Sequence, residues 1–257
     1  MNIEVYKTKS PTDPKKTILK KDLPRPPYRI ILNGASGSGK TQVIFNFLLN
    51  PKLGYASYFD YINVFIGSLD DLDEYRELAH KHKCMCYDDD ANKYSSKLMR
   101  IDEKMSIRQG VNNDELLNLI DEMEQNELLK KKRYLFVFDD LVATELLKNS
   151  VKASAIDVLF IRGRHIGKGV STIISTQKWN MLKTNLRAVN STHVFLFNGL
   201  PNHQKKLIAG EISGGYDEKE FIEIYEKYTN QKYSFILINL REPKEKYIQD
   251  KNFNYIN

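Results

Sequence analysis

Short runs of consecutive apolar residues recur along this chain, and between them the apolar positions fall at helical spacing. The runs lie at residues 28–33, 60–68, 134–140, 170–177, 192–198 and 233–240. No polar residue interrupts the YLFVF of the third, as expected for a strand at the buried centre of a parallel sheet. Residues 41–50 predict an amphipathic helix that stops at Pro51. Residues 70–82 show helical spacing at Leu72, Tyr75, Leu78 and Ala79. Residues 113–131 place Leu116, Ile120, Met123 and Leu128 on one helical face, with acids at the start and lysines at the end, as the helix dipole favours. Further helices are expected over residues 151–163, 201–210 and 217–229, the last two broken apart by Ser213, Gly214 and Gly215.

Strands alternating with helices from residue 28 to 240 predict an α/β fold, a mostly parallel central sheet flanked by helices on both faces. No internal repeat or strong linker divides it. The expected organisation is an extended, basic and proline-rich arm over residues 1–27, a single domain over 28–242 and a C-terminal tail over 243–257.

Composition narrows the setting. Of 257 residues, 41% are hydrophobic and 28% charged, as in a soluble globular protein. The apolar runs are too short to span a bilayer and the chain opens on polar residues, so no membrane insertion and an intracellular location are expected. Two cysteines, Cys84 and Cys86, are too few for a disulfide scaffold, which agrees with a reducing compartment. The net charge of +6 allows a polyanionic partner, while 33 acidic residues leave a mixed solvated surface equally open.

The chemistry begins directly behind the first strand. Gly34, Ala35, Ser36, Gly37, Ser38, Gly39, Lys40 and Thr41 satisfy the pattern G-x-x-x-x-G-K-[ST]. Its glycines let backbone N–H groups turn inward on phosphates, Lys40 reaches the β- and γ-phosphates, and the Thr41 hydroxyl ligates Mg²⁺. Strand, loop and helix follow in the order that a P-loop NTPase requires, which makes a nucleoside triphosphate with Mg²⁺ the expected ligands, ATP being what the resemblance below implies. Such a loop predicts an acid at the end of a buried strand to hold the magnesium shell. Asp139 fills that place, and Asp140 beside it is set to orient or deprotonate an attacking water, so hydrolysis is expected rather than transfer to a hydroxyl. Gln177, with Thr176 as a lesser candidate, ends the following strand where it could sense the γ-phosphate. Arg162, Arg164 and Arg187 are candidates for an arginine that stabilises transition-state charge at a neighbour's nucleotide.

One constellation points elsewhere. His80, His82, Cys84 and Cys86 alternate and would share one face of a strand, a grouping that zinc ligands can take. Ligands two apart on one strand diverge, however, and tetrahedral sites usually join two separated pairs, so a metal there is not expected.

The passages ILNGASGSGKT, YLFVFDDL, RGRHIGKGVSTIISTQKW and LRAVNSTHVFLFNG, in this order, resemble the viral genome-packaging ATPases of the FtsK/HerA superfamily, poxvirus-type family, across about residues 28–240. The resemblance implies an ATPase that assembles as a ring-shaped homo-oligomer, a hexamer in this superfamily, and threads double-stranded DNA into a preformed capsid. Viral capsid proteins would be its partners, and the host cytoplasm, the viral factory or the virion its location. Lys40, Thr41, Asp139 and Gln177 inherit the phosphate, magnesium and sensor roles; Asp140 stands where many superfamily members carry glutamate. DNA would be gripped by its backbone, without sequence readout, through lysines such as Lys178, Lys183, Lys205 and Lys206. A nucleotide-dependent switch or scaffold with slow hydrolysis is the competing reading. A P-loop kinase would need an arginine-rich lid after the sheet, which is not evident.

Overall fold

Both faces of the sheet are covered by helices, and the strand sequences are apolar on both sides for that reason. The computed structural model describes residues 22–50, 52–53, 55, 58–67, 75, 86–87, 105–141 and 154–256. Among them are strands β1 (Arg29–Asn33), β2 (Tyr61–Ile66), β3 (Cys86–Tyr87), β4 (Met105–Gln109), β5 (Tyr134–Asp139), β6 (Val170–Thr176), β7 (His193–Phe197), β8 (Phe235–Asn239) and β9 (Ile248–Gln249). They form one sheet in the order β3-β4-β2-β5-β6-β1-β7-β8-β9. Pairings from β3 to β7 are parallel, whereas β8 and β9 run antiparallel at the far edge. The mostly parallel α/β architecture expected from the alternating runs is therefore the one observed.

Alternate residues of each strand serve different layers. Tyr134, Phe136 and Phe138 of β5 face one core, while Leu135 and Val137 face the other. Helix α1 (Lys40–Leu49) covers the second face with Val43, Ile44, Phe47 and Leu48. Helices α2 (Asn113–Gln125), α3 (Ala155–Arg162), α4 (Asn202–Ile212) and α5 (Glu218–Tyr228) all contribute to the first. Each fully buried Leu, Ile, Val or Phe contributes about 1.5–3 kcal/mol, so a polar residue in β1 or β5 would be costly.

One helix is shorter than its periodicity predicts. α2 is capped by Asn112, whose side chain accepts from the backbone N–H groups of Asp114 and Glu115, but it ends at Gln125. Asn126 then accepts from the N–H of Leu128 at 2.9 Å and opens a separate turn. The turn rotates the face: Leu129 is buried and Leu128 is 66% exposed, so Leu128 does not share the stripe with Leu116, Ile120 and Met123. Leu119 completes that stripe, and the lysines read as the helix end lie beyond it. The strands β3, β4 and β9 carry no long apolar run and were not expected from the sequence. Residues 70–82, read as a helix, lie outside the described residues except for Tyr75, which is helical and buried.

Both ends of the domain are fastened to the sheet. β9 pairs with β8, and Phe253 and Ile256 are buried. The Gln249 side chain donates to the Asp22 carbonyl at 3.2 Å, and Leu23 is buried. No helix among the described residues is long and apolar enough to cross a membrane.

Candidate active site

Strand order assembles the site. β1 lies between β6 and β7, with β5 next to β6, so the C-terminal ends of β1, β5 and β6 adjoin although their residues are far apart in sequence. The phosphate-loop pattern leaves the end of β1, where the Gly34 N–H donates to the Thr176 carbonyl of β6 at 3.1 Å. A Cβ on Gly34 would lie 2.6 Å from Cβ of Phe197, so only glycine permits this close passage. Gly39 has φ +103° and leads into α1, whose N-terminal N–H groups favour an anion.

Three features of the loop fit a phosphate ligand. Lys40 is buried, and its ammonium donates to the carbonyls of Gly34 at 2.8 Å and Ala35 at 2.9 Å, which holds the charge against the loop. The Ser38 hydroxyl is buried with no hydrogen-bond partner among the described residues, as a group reserved for a ligand would be. Ala35, Ser36 and Gly37 are exposed on the rim.

Asp139, at the end of β5, is 2% exposed and among the described residues accepts from the hydroxyls of Thr41, Tyr75 and Ser175. Thr41 Oγ1 donates to Oδ2 at 3.1 Å, Tyr75 Oη donates to Oδ2 at 3.0 Å, and Ser175 Oγ donates to Oδ1. The predicted metal pair, Thr41 and Asp139, is thus brought together, and its hydroxyl and carboxylate oxygens are the hard donors that Mg²⁺ takes.

Asp140 has φ +50°, a left-handed conformation that is costly for a non-glycine residue and held here by its neighbours. Its N–H donates to Ser175 Oγ at 3.1 Å. Its carbonyl oxygen fills the place of a Cβ on Gly67, which would lie only 2.2 Å away. Its carboxylate accepts the Gln177 side-chain amide at 2.9 and 3.2 Å. Asp140 and Gln177 are therefore neighbours, whereas the Thr176 hydroxyl is turned to the Lys178 backbone, donating to its carbonyl at 3.0 Å.

Ser175 and Tyr75 were missed from sequence. Ser175 is two residues before Gln177 in an extended strand, so both side chains project to the same face, and that spacing was a usable signal. Tyr75 arrives from a distant segment and carried no signal of its own.

The arginines sit elsewhere. Arg164 lies in the 3-10 turn Gly163–His165 that precedes β6, so the seven residues of β6, about 23 Å of strand, separate it from Gln177. Its Nε donates to His165 Nε2 at 2.8 Å, and Arg29 and Arg241 crowd the same edge. Burial, then Arg241 and Arg164, pulls the Arg29 guanidinium down to about 10. Among the described residues none of these three arginines has a carboxylate within ion-pair distance. Arg187, in the π-helical turn Asn185–Asn190, is buried and clamps Glu211 of α4 with Nη2–Oε1 at 2.5 Å and Nε–Oε2 at 2.8 Å. Arg162 pairs with Glu124 at 2.5 Å.

Two surface readings need correction. Lys183 is not a DNA-facing lysine: it is buried and paired with Asp157 at 2.5 Å, where the Ser154 capping box of α3 needs its charge balanced. Lys205 pairs with Glu226, while Lys178 and Lys206 are exposed. Of the alternating histidines and cysteines, His80, His82 and Cys84 lie outside the described residues, and Cys86 begins β3. No cluster of three metal-ligating side chains occurs among the described residues.

A family model described as Poxvirus A32 protein matches residues 15–241. No curated protein sequence matches the chain. Among solved structures, the genome packaging NTPase B204 from Sulfolobus turreted icosahedral virus 2 in complex with sulfate is similar at 16% identity and a TM-score of 0.62, covering 88% of this chain and 96% of that one. The same NTPase in complex with ATP-gammaS matches at 17% identity and a TM-score of 0.62, over 88% and 97% of the two chains. At such identities the likeness establishes the fold.

Proposed function

The chain belongs to the Poxvirus A32 protein family, and from that premise we propose that it is the ATP-hydrolysing motor that drives double-stranded viral DNA into a preformed capsid. The observation that carries the reading is the Asp140–Gln177 pair, set on the strand ends beside the Thr41–Asp139 pair. A carboxylate and an amide held together next to a metal-and-phosphate site suit the positioning of water. The similar NTPase named for genome packaging has been captured with ATP analogues, which supports nucleotide as fuel.

In this mechanism the loop N–H groups, Ser38 and Lys40 bind the phosphates and offset charge that develops on them. Thr41 and Asp139 would hold Mg²⁺, which when bound would supply neutralisation of phosphate charge. Gln177 holds Asp140 and orients the water; Asp140 accepts its proton as the oxygen attacks the γ-phosphorus and the bond to the ADP oxygen breaks. Ser175 and Tyr75 act through Asp139 by fixing its carboxylate.

Arg164 is a strand length from its own cradle, so a phosphate that it meets comes from another molecule, in a ring the nucleotide of the neighbouring subunit. That arrangement, a ring-shaped homo-oligomer and most simply a hexamer, is part of the proposal. Arg187 serves instead to lock its own turn onto α4. Exposed Lys178 and Lys206 and the net charge of +6 suit sequence-independent contact with duplex DNA. The motor unit is residues 28–242 together with Leu23 and the segment 247–256 that pack onto it, and capsid proteins are its docking partners. It works in the host cytoplasm or viral factory, or with the virion.

The test is ATP hydrolysis with and without duplex DNA, with Lys40→Ala and Asp140→Asn as controls. DNA-stimulated turnover that both substitutions abolish supports the motor. Slow turnover indifferent to DNA would make the chain a switch, and phosphate transfer to a small acceptor would make it a kinase.

A further inference from the structure

An exposed aromatic ring leans on the phosphate loop. β8 runs antiparallel to β7, so the turn that leads into it arrives at the edge of the sheet from which the loop emerges. The Asn198 N–H donates to the Ser234 carbonyl at 3.0 Å and fastens that turn to the end of β7. The next residue back, Tyr233, lies with Cδ1 only 3.4 Å and Cβ 3.8 Å from where a Cβ on Gly39 would stand. Gly39 is the residue before Lys40, so the ring flanks the entrance to α1.

Tyr233 is unusual in two further ways. Its φ is +64°, a conformation that a bulky non-glycine residue adopts at a cost of order 1–3 kcal/mol. The turn imposes it: Ser234 bonds the Gln231 carbonyl through both its N–H (3.1 Å) and its hydroxyl, and the Gln231 side chain accepts from Lys251 at 2.8 Å. Despite that investment in geometry the residue is 57% exposed, and the Lys232 ammonium stands 4.8 Å from the ring centroid. The fold therefore holds a large flat side chain beside a phosphate cradle without burying it.

We propose that Tyr233 is the platform on which the nucleotide base stacks. The inference rests on the cradle reading given above. A base tethered to phosphates in the loop must lie within a nucleotide's length of α1, and a π-face there would hold any base without reading its edge. The ligand class is a nucleoside di- or triphosphate, purines favoured by their larger stacking area, with weak discrimination between adenine and guanine.

The experiment compares ATP and inorganic tripolyphosphate binding, with magnesium, to the full-length wild type, Tyr233→Ala and Tyr233→Phe. Removing the ring should weaken ATP on the order of 10- to 100-fold. Tyr233→Phe should retain the affinity within about threefold because the ring remains, and tripolyphosphate should bind all three proteins alike. Unchanged ATP affinity in Tyr233→Ala overturns the inference, as does equal loss in the alanine and phenylalanine variants or equal loss of tripolyphosphate. Wild-type protein that binds tripolyphosphate but gains nothing from the base also overturns it. Wild-type protein that binds neither ligand overturns the cradle reading itself, which separates the two failures.

Discussion

The Gln177 side-chain amide reaches from the end of β6 to the Asp140 carboxylate beyond β5, with separations of 2.9 and 3.2 Å to its two oxygens. On the mechanism proposed above the pair would act as one unit, because the amide that would orient a water also fixes the group that would take its proton. Asp140→Asn should lower the turnover number about 100-fold or more while nucleotide affinity changes only a few-fold. Gln177→Ala should lose a similar amount, and the double variant little beyond either single one, as steady-state rates and a double-mutant cycle would reveal.

Gly67 guards the same geometry from a neighbouring strand end. A methyl group there would overlap the Asp140 carbonyl, 2.2 Å away, and must displace backbone. Gly67→Ala should cost about 1–3 kcal/mol of stability. It should also depress hydrolysis in protein that is still folded and still binds nucleotide, measured by calorimetric binding beside the rate assay.

Arg187 and Glu211 form a largely buried fork, with Trp179 Nε1 donating to the same carboxylate at 2.7 Å. Removing one partner strands the other charge. Arg187→Ala should lower the melting temperature by roughly 5–10 °C, following a loss of about 3 kcal/mol. Residual turnover per folded molecule should be preserved; its abolition would restore Arg187 to the catalytic set.

His193 supplies an acid-sensitive term. It is buried, and desolvation, then Arg241 and Arg29, pulls its imidazole down to about 3, so the folded protein keeps it neutral. An unfolded chain protonates the same group near its ordinary 6.5. The unfolded state thus binds the extra proton, and the full stability present above pH 6.5 declines as pH falls toward 3, by at most about 1.4 kcal/mol per pH unit. Denaturant melts between pH 7 and 5 should show this slope, and His193→Asn should flatten it.

Thr41→Ala should reduce the magnesium dependence of nucleotide binding while leaving the fold intact, since Asp139 keeps its bonds from Tyr75 and Ser175. Asp139→Leu should do more, because it leaves the buried hydroxyls of Tyr75 and Ser175 without their acceptor, each costing about 1–3 kcal/mol, besides the half-buried one of Thr41. Binding titrations with and without magnesium, set against thermal melts, separate the two effects.

Sequence by itself determined what is local: strands from unbroken apolar runs, most helices from spacing, and the phosphate cradle from glycines whose backbone freedom that bend needs. Asp139, Asp140 and Gln177 were legible because each ends a recognisable strand. Tertiary structure alone decided what those residues touch. β6 lies between β5 and β1, so Ser175 meets Asp139 and Gln177 meets Asp140, and β7 and β8 follow on the other side of β1, so Tyr233 comes to rest against Gly39. The same packing put Lys183 and Arg187 into buried ion pairs and Arg164 at the opposite edge, reversing or redirecting roles that surface-like motifs suggested. Local conformation follows from a residue and its near neighbours; a site follows from strand order, which joins segments 100 residues and more apart and leaves almost no trace in any one of them.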